Sequence, residues 1–214
     1  MERELEILSQ AVREAGSRVL AIGRDGFETQ IKKDRSPVTS ADLEANRILY
    51  ERLRREFPGD GWLSEEGPAD PERLSRKRVW VIDPIDGTKY FMRGEPTYVI
   101  SAALVEEGQP VVSVLFNPVT DEFFSAIFGH GAYLNGERVR VRGAASPRLT
   151  ILVHPPSLRQ GKLAAFEPLA DCLPLGSIAY TLGLVAAGRA DACVNFERMN
   201  DWDVAAGVAL IQVF

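Results

Sequence analysis

Val79-Trp80-Val81-Ile82-Asp83-Pro84-Ile85-Asp86-Gly87-Thr88 is an apolar run that stops at a carboxylate and turns into a glycine-threonine step. Val79 to Ile82 have the β-branched and aromatic side chains of a buried strand. Pro84 cannot donate to a ladder, so the strand is predicted to end at about Asp83, facing a crevice. The turn leaves the Ile85 carbonyl without a sheet partner and brings Asp86 back as a second acid. Gly87 and Thr88 then open a helix or tight turn, whose unpaired N–H groups suit an anion such as phosphate. The plainer reading is that Asp83 closes a strand and Asp86 caps a helix.

Two further stretches decide between these readings. Ser64-Glu65-Glu66 and Trp202-Asp203-Val204-Ala205-Ala206-Gly207 both set acids beside apolar or small residues. Carboxylates gathered together repel one another unless some are protonated or a cation lies among them. The candidate ligands Glu65, Asp83, the Ile85 carbonyl, Asp86 and Asp203 are all oxygen, which favours Mg²⁺, with Mn²⁺ or Ca²⁺ able to substitute. His130 and His154 are not spaced as ligands, and Cys172 and Cys193 read as small buried residues. With no G-x-x-x-x-G-K-[ST] motif, a nucleotide triphosphatase is disfavoured and hydrolysis of a phosphomonoester is the simpler expectation.

The 214 residues, 45% hydrophobic and 26% charged, suffice for one sizeable core or two small domains sharing one. A net charge of −5 argues against a nucleic-acid polymer as partner. Two cysteines outside any C-x-x-C pattern, a charged helical start at Met1-Glu2-Arg3-Glu4 and no apolar run of about 20 residues lead to the expectation of a cytoplasmic protein with no membrane partner.

Leu5, Leu8, Val12, Ala15, Val19 and Ile22 form one helical stripe, predicted to stop at Gly23. Phe27, Thr29 and Ile31 alternate like a strand, and Lys32 to Pro37 read as a solvated polar loop. Thr39 and Asp42 make a capping-box start for a helix with Leu43, Tyr50, Leu53 and Phe57 on its apolar face. Thr97 to Val105 and Gln109 to Phe116 read as a hairpin, followed by Phe123 to Ile127 and by a second hairpin, Ala132 to Leu134 with Arg138 to Val141, turning at Asn135-Gly136. Leu149 to Val153 reads as a strand, Leu158 to Leu173 as weakly helical, Ser177 as the cap of a helix running to Gly188, and Ala190 to Val194 as a strand. Asp203 starts a last short helix. The acids thus fall at strand ends and helix starts, expected at the junction of an α+β subdomain, residues 1–142, and an α/β subdomain, residues 143–214.

W-V-I-D-P-I-D-G-T, the S-E-E before it and the W-D-V-A-A-G after it, in that order, resemble the inositol monophosphatase family of lithium-sensitive, Mg²⁺-dependent phosphatases. The resemblance extends through Lys33 to Asp42, Gly131 to Gly136, Gly176-Ser177 and Val185 to Asp191. It implies a layered α-β-α-β-α sandwich, two or three Mg²⁺ ions on Glu65, Asp83, Ile85 O, Asp86 and Asp203, and a homodimer. It also implies that Glu65 and Thr88 position and activate the attacking water while Gly87 and Thr88 hold phosphate. Asp42 and Glu66 fall at acids that the family places near the outer metal. Gly176 and Ser177, with Glu197 near the family's inositol-contacting glutamate, are the remaining substrate-side expectations.

The family normally continues past W-D-x-A-A-G, whereas this sequence stops at Ile211-Gln212-Val213-Phe214, so a shortened C-terminal part with an uncovered apolar end is expected. The segment between Gly136 and Gly176 is also short. The substrate expected first is an inositol-monophosphate-type polyol phosphate. Lys89 and the Asp34–Asp42 segment look like those of the 3′(2′),5′-bisphosphate nucleotidases, which act on 3′-phosphoadenosine 5′-phosphate. Arg93 to Pro96 look like histidinol phosphatases, and a non-catalytic phosphate- or metal-binding relative is the remaining reading.

Overall fold

The computed structural model describes residues 1–68, 70–143 and 148–212. Five layers stack in it. Helices α1 (Glu2–Asp25) and α2 (Ser40–Glu56) cover one face of a seven-stranded sheet ordered β3-β4-β5-β6-β7-β8-β9, and α5 (Ile178–Ala186) and α6 (Asp201–Gln212) cover the other. Beyond α5 lies a parallel three-stranded sheet ordered β11-β10-β12, with α4 (Pro155–Arg159) on it. The large sheet comprises β3 (Gly61–Ser64), β4 (Arg78–Asp86), β5 (Val99–Glu106), β6 (Gln109–Asn117), β7 (Glu122–Ile127), β8 (Gly131–Leu134) and β9 (Glu137–Arg138). The small one comprises β10 (Leu149–Val153), β11 (Ala170–Pro174) and β12 (Ala192–Val194). A two-stranded ribbon, β1 (Thr29–Ile31) and β2 (Pro37–Thr39), and the one-turn helix α3 (Thr88–Phe91) complete the elements named here.

Burial on both faces explains the near-continuous apolar runs. Along β5, Ile100, Ala102 and Leu104 pack with Leu8, Val12 and Leu49 under α1 and α2, while Val99 and Ala103 pack with Ala206 and Leu210 of α6. The same alternation runs along β4. Trp80 and Ile82 join the α1/α2 core, so Asp83, paired with Ser101 across the ladder, has the parity of the α6 face. The two stretches either side of residue 142 therefore share a core, because α5 and α6 pack on the large sheet.

Several expectations are corrected. β4 does not end at Asp83: the ladder to β5 resumes at Asp86 across a register shift between Asp83 and Asp86, so the missing donor of Pro84 is absorbed by a bulge. Helix α1 passes Gly23 and stops at Gly26, whose φ of 103° ends it. Leu43 and Tyr50 are exposed, the buried face of α2 being Ala41, Ala45, Ile48, Leu49 and Leu53. Ala170 to Pro174 form β11 and not helix, and the second strand of the Asn135-Gly136 hairpin is only Glu137–Arg138. Of the apolar end, Ala209 and Leu210 are buried, whereas Val208 and Ile211 are half-buried; Val213 and Phe214 lie outside the described residues. Among the described residues no helix is long and apolar enough to cross a membrane.

Asp60 ties the start of this sheet together. Its Oδ2 accepts from Trp80 Nε1 at 2.9 Å and Arg78 Nη2 at 3.1 Å, and Arg78 also donates to Glu4 of α1 at 3.0 Å. Asp60→Ala strands a buried indole N–H and half of the Arg78 pairing, and is expected to cost about 3 kcal/mol. Asp60→Asn, which keeps an acceptor, should cost less. Urea denaturation of the two variants checks the order, and a loss below about 0.5 kcal/mol for the alanine variant would contradict the role.

Candidate active site

A cavity of about 380 Å³ opens where β3, β4, α3, the β1–β2 ribbon, α4 and α6 meet. Glu65, Asp83, Ile85, Asp86 and Asp203 all line it, together with Gly87, Thr88 and Gly176. The bulge in β4 lets Asp83 and Asp86 face the same space. Asp83 Oδ1 accepts from the Ile85 N–H at 3.0 Å, folding the turn back on itself. Glu65 follows β3, held in register by its own N–H donating to the Ile82 carbonyl at 3.2 Å.

Helix starts hold the other acids. Asp42 is buried in the first turn of α2. Its Oδ2 accepts from the Thr39 N–H at 2.8 Å and its Oδ1 accepts from Thr88 Oγ1 at 2.9 Å, so the capping box of α2 also orients Thr88. Asp86 Oδ2 accepts from Ser177 Oγ at 2.7 Å and from the Ala179 N–H at 2.6 Å, which fastens β4 to the N-terminus of α5. Asp203 Oδ2 accepts from the Asn200 N–H at 2.6 Å at the start of α6. Gly87 stands at φ 106°, and a Cβ there would lie 3.1 Å from Tyr98 Cβ, so the turn into α3 requires glycine. Gly176 makes room for the Tyr90 ring: a Cβ would meet it at 1.8 Å and force the ring to move.

Charge governs the site. Burial pushes the Asp83 carboxyl well above the usual range, and the charges of Glu65, Asp86, Asp203 and Asp42 push it further. Asp86 is raised by burial against the bonds from Ser177 and Ala179, and Asp42, Glu66 and Asp203 are raised chiefly by burial too. The counter-charge present is Lys32, whose Nζ lies 2.6 Å from Glu65 Oε1 and 2.8 Å from Glu66 Oε1. Burial works to lower the lysine's pKa, but the bonds and charges of the two glutamates outweigh it and raise it above the ordinary value. Lys32 lay in a stretch read as solvated, and no local pattern marks it, because its partners are distant in sequence.

Not every expected residue meets the cavity. Ser177 is fully buried and bonded to Asp86, so it positions that carboxylate from behind. Glu197 is exposed and pairs with Lys162 at 3.5 Å, outside the cavity lining. Asp42 reaches the cavity only through Thr88. His154, Arg93 and Arg159 line the cavity without having been expected there.

An all-oxygen donor set, carboxylates raised by mutual repulsion and an ammonium standing among them are the chemistry of a hard-cation site, so the residues fit Mg²⁺. Their side chains are turned to the partners just described: among the described residues no three His, Cys, Asp or Glu side chains stand as the ligands of one ion.

A carboxyl whose folded pKa is raised holds its proton in the folded state at a pH where the unfolded chain has lost it, so its contribution to stability falls as pH rises above the ordinary carboxylate range. Asp83→Asn, neutral at every pH, is expected to be more stable than the parent in EDTA at pH 7, with the gap shrinking toward pH 5 as Asp83 itself becomes protonated. Urea denaturation at the two pH values checks this; a gap of constant size would refute the electrostatic account.

The family model described as "Inositol monophosphatase family" matches residues 1–212. Among curated relatives, the chain is 37% identical to "Nus factor SuhB" of Xylella fastidiosa, over 97% of this chain and 78% of that protein. It is also 37% identical to "Inositol-1-monophosphatase" of Rhizobium meliloti, over 97% of this chain and 82% of that protein. Among solved structures, the Thermotoga maritima IMPase superposes with a TM-score of 0.87 at 33% identity, covering 98% of this chain and 82% of the other. The fold, the cavity and these similarities agree: the chain belongs to the inositol monophosphatase family.

Proposed function

We propose that this chain is a Mg²⁺-dependent phosphomonoesterase acting on a small phosphorylated metabolite, with an inositol-monophosphate-type polyol phosphate as the first substrate to test. Family membership makes it a phosphatase. The observation that carries the rest is the convergence of Glu65, Asp83, Ile85, Asp86 and Asp203 on one cavity beside Gly87 and Thr88. Two or three Mg²⁺ ions held by those five groups would neutralise charge on phosphate oxygens and help ionise a water.

The chain's own groups supply the rest of the mechanism. The N–H groups at the start of α3 bind phosphate oxygens. Thr88 Oγ1 donates its proton to Asp42, which leaves its lone pairs to accept a hydrogen from the attacking water. As the water oxygen bonds to phosphorus and the ester P–O bond breaks, the water's proton passes to Thr88 Oγ1 while the threonine's own proton passes to Asp42; the leaving oxygen takes up a proton from solvent water to leave as the alcohol, and Asp42 returns its proton to solvent. Burial, which raises Asp42 as a base, favours that transfer. Glu65 orients the water once Lys32 releases it. The same reading includes lithium inhibition and a homodimer, for which an apolar groove lined by Leu63, Val79, Val81, Val105, Val204 and Val208 offers a surface. Sedimentation checks the latter.

The second substrate reading is a 3′(2′),5′-bisphosphate nucleotidase, favoured by Lys89 at the cavity. Phosphate release from a panel of phosphorylated polyols and nucleotides separates the two. Asp83→Asn and Asp86→Asn should each lower Mg²⁺-dependent turnover by at least about 10²-fold, and should remove the rise in melting temperature that Mg²⁺ gives the parent. Undiminished turnover in either variant would overturn the assignment.

A further inference from the structure

Glu122 opens β7 and is not part of the cavity lining, yet its side chain is only 12% exposed and both carboxylate oxygens are engaged. Oε2 accepts from the Tyr180 phenol and, at 2.8 Å, from Thr120 Oγ1, while Oε1 accepts from Arg189 Nη1. Burial acts to raise this carboxyl, but the bonds from Tyr180, Thr120 and Arg189 outweigh it and hold it below the usual range. The phenol is pushed up to about 12 by burial and by Glu122. Tyr180 belongs to the first turn of α5, and Arg189 comes just past its last turn. One carboxylate therefore grips this helix at both ends.

The packing of α5 explains why a grip matters. Toward the sheet it presents Ala179, Gly183 and Ala186, set against Leu115 and Phe124, and its larger Leu182 is turned to Gly207 of α6. Residues as small as these give no ridge to seat in a groove, so apolar contact leaves the position of α5 along the sheet weakly fixed. Directional bonds fix it instead. The Tyr180 phenol donates to Glu122, and the Tyr180 N–H donates at 3.0 Å to Ser177 Oγ, the cap of α5. Ser177 Oγ donates in turn to Asp86 Oδ2, which also accepts from the Ala179 N–H. A continuous run of hydrogen bonds thus joins Arg189 and Glu122 to Asp86, crossing from β7 through α5 to β4.

Asp86 Oδ2 has two protein donors and Oδ1 has none among the described residues, so α5 aims this carboxylate and leaves one oxygen open. Hydrogen bonds keep good geometry over a span of about 0.5 Å, so a small slide of α5 would turn or release the carboxylate. Groups that stand behind a metal ligand govern its affinity for the ion. Resting on the phosphatase reading above, we propose that Glu122 is a positioning residue for the metal centre: by clamping α5 through Tyr180 and Arg189 it sets Asp86, and with it the affinity for Mg²⁺, while touching neither ion nor substrate.

Mg²⁺ binding tests this without turnover. The whole chain is stripped with EDTA, and the Kd is read from the rise of its melting temperature with Mg²⁺ concentration. Tyr180→Phe removes the phenol oxygen and keeps the ring; it should weaken Mg²⁺ binding by about threefold to tenfold, as should Glu122→Gln, and Ser177→Ala by about tenfold. Because Tyr180 acts through Ser177, adding Tyr180→Phe to Ser177→Ala should weaken binding by less than about twofold more. Asp60→Ala is the control, since it destabilises the sheet without touching α5, and its Kd should stay within about twofold of the parent's. An unchanged Kd in Tyr180→Phe and Glu122→Gln would overturn the proposal. So would losses that multiply in the double variant, or an equal weakening in Asp60→Ala, since either would mean a general loosening of the fold. If Glu122→Gln does not fold, Tyr180→Phe decides alone. A parent whose melting temperature does not rise with Mg²⁺ would sink the metal-dependent reading above and the proposal with it. A parent that binds Mg²⁺ but hydrolyses no ester would sink the phosphatase reading, and the Kd values would still decide the role of Glu122.

Discussion

Carboxylates that face one another at the rim of a sheet cannot all stay charged without a counter-charge, and this protein is built around that repulsion. Asp83 is buried on β4, one strand in from the edge of the large sheet, and Asp86, Glu65, Asp203 and Asp42 act on it. Burial in a low-dielectric layer strengthens the repulsion, since little water reaches the group to screen it. The fold bears this cost because its elements are held by apolar cores on both faces of the sheet, independently of the acids. Lys32 supplies a partial answer from the β1–β2 ribbon.

The positions of the acids follow from where backbone donors are free. Asp42, Asp86 and Asp203 each accept backbone N–H groups at a helix start, Asp42 in α2, Asp86 at α5 and Asp203 in α6. Such donors favour the charged form of a carboxylate and so offset part of the penalty of burial. Asp83 has only the Ile85 N–H of its own turn, and burial together with the charges of Glu65, Asp86, Asp203 and Asp42 holds it well above the ordinary range. The bulge at Pro84 matters for the same reason, because a regular strand would alternate the directions of successive side chains and hold them to a fixed ladder.

Much of this was legible in the sequence. The strand–acid–Pro–acid–Gly-Thr run, the capping box at Thr39 and Asp42 and the Asn135-Gly136 hairpin are local signals, and each appears where its chemistry demands. The strand's continuation to Asp86 was missed because proline was read as a stop, when a neighbouring bulge can absorb it. β11 was missed because Ala170 to Pro174 lack β-branched residues and are paired only through β10. Lys32, Arg93, His154 and Arg159 could not be placed, since their roles depend on contacts between distant stretches that no spacing encodes. Ser177 caps α5 as its place before an apolar helical run predicts, while its bond to Asp86, which sets it behind that acid, joins residues far apart in sequence and has no local signal.

The acids are scattered along the chain from Asp42 to Asp203, and the last of them lies in α6, which also covers the second face of the large sheet. During synthesis from the N-terminus, the ribosome releases the first four acids well before the fifth. A nascent chain carries the repelling carboxylates of β4 with neither the α6 cover nor Asp203 in place. The centre therefore closes only once α6 has been made, and a polypeptide interrupted before α6 would leave bare the apolar sheet face on which Ala206 and Leu210 pack, the kind of exposed surface that aggregates or draws chaperones.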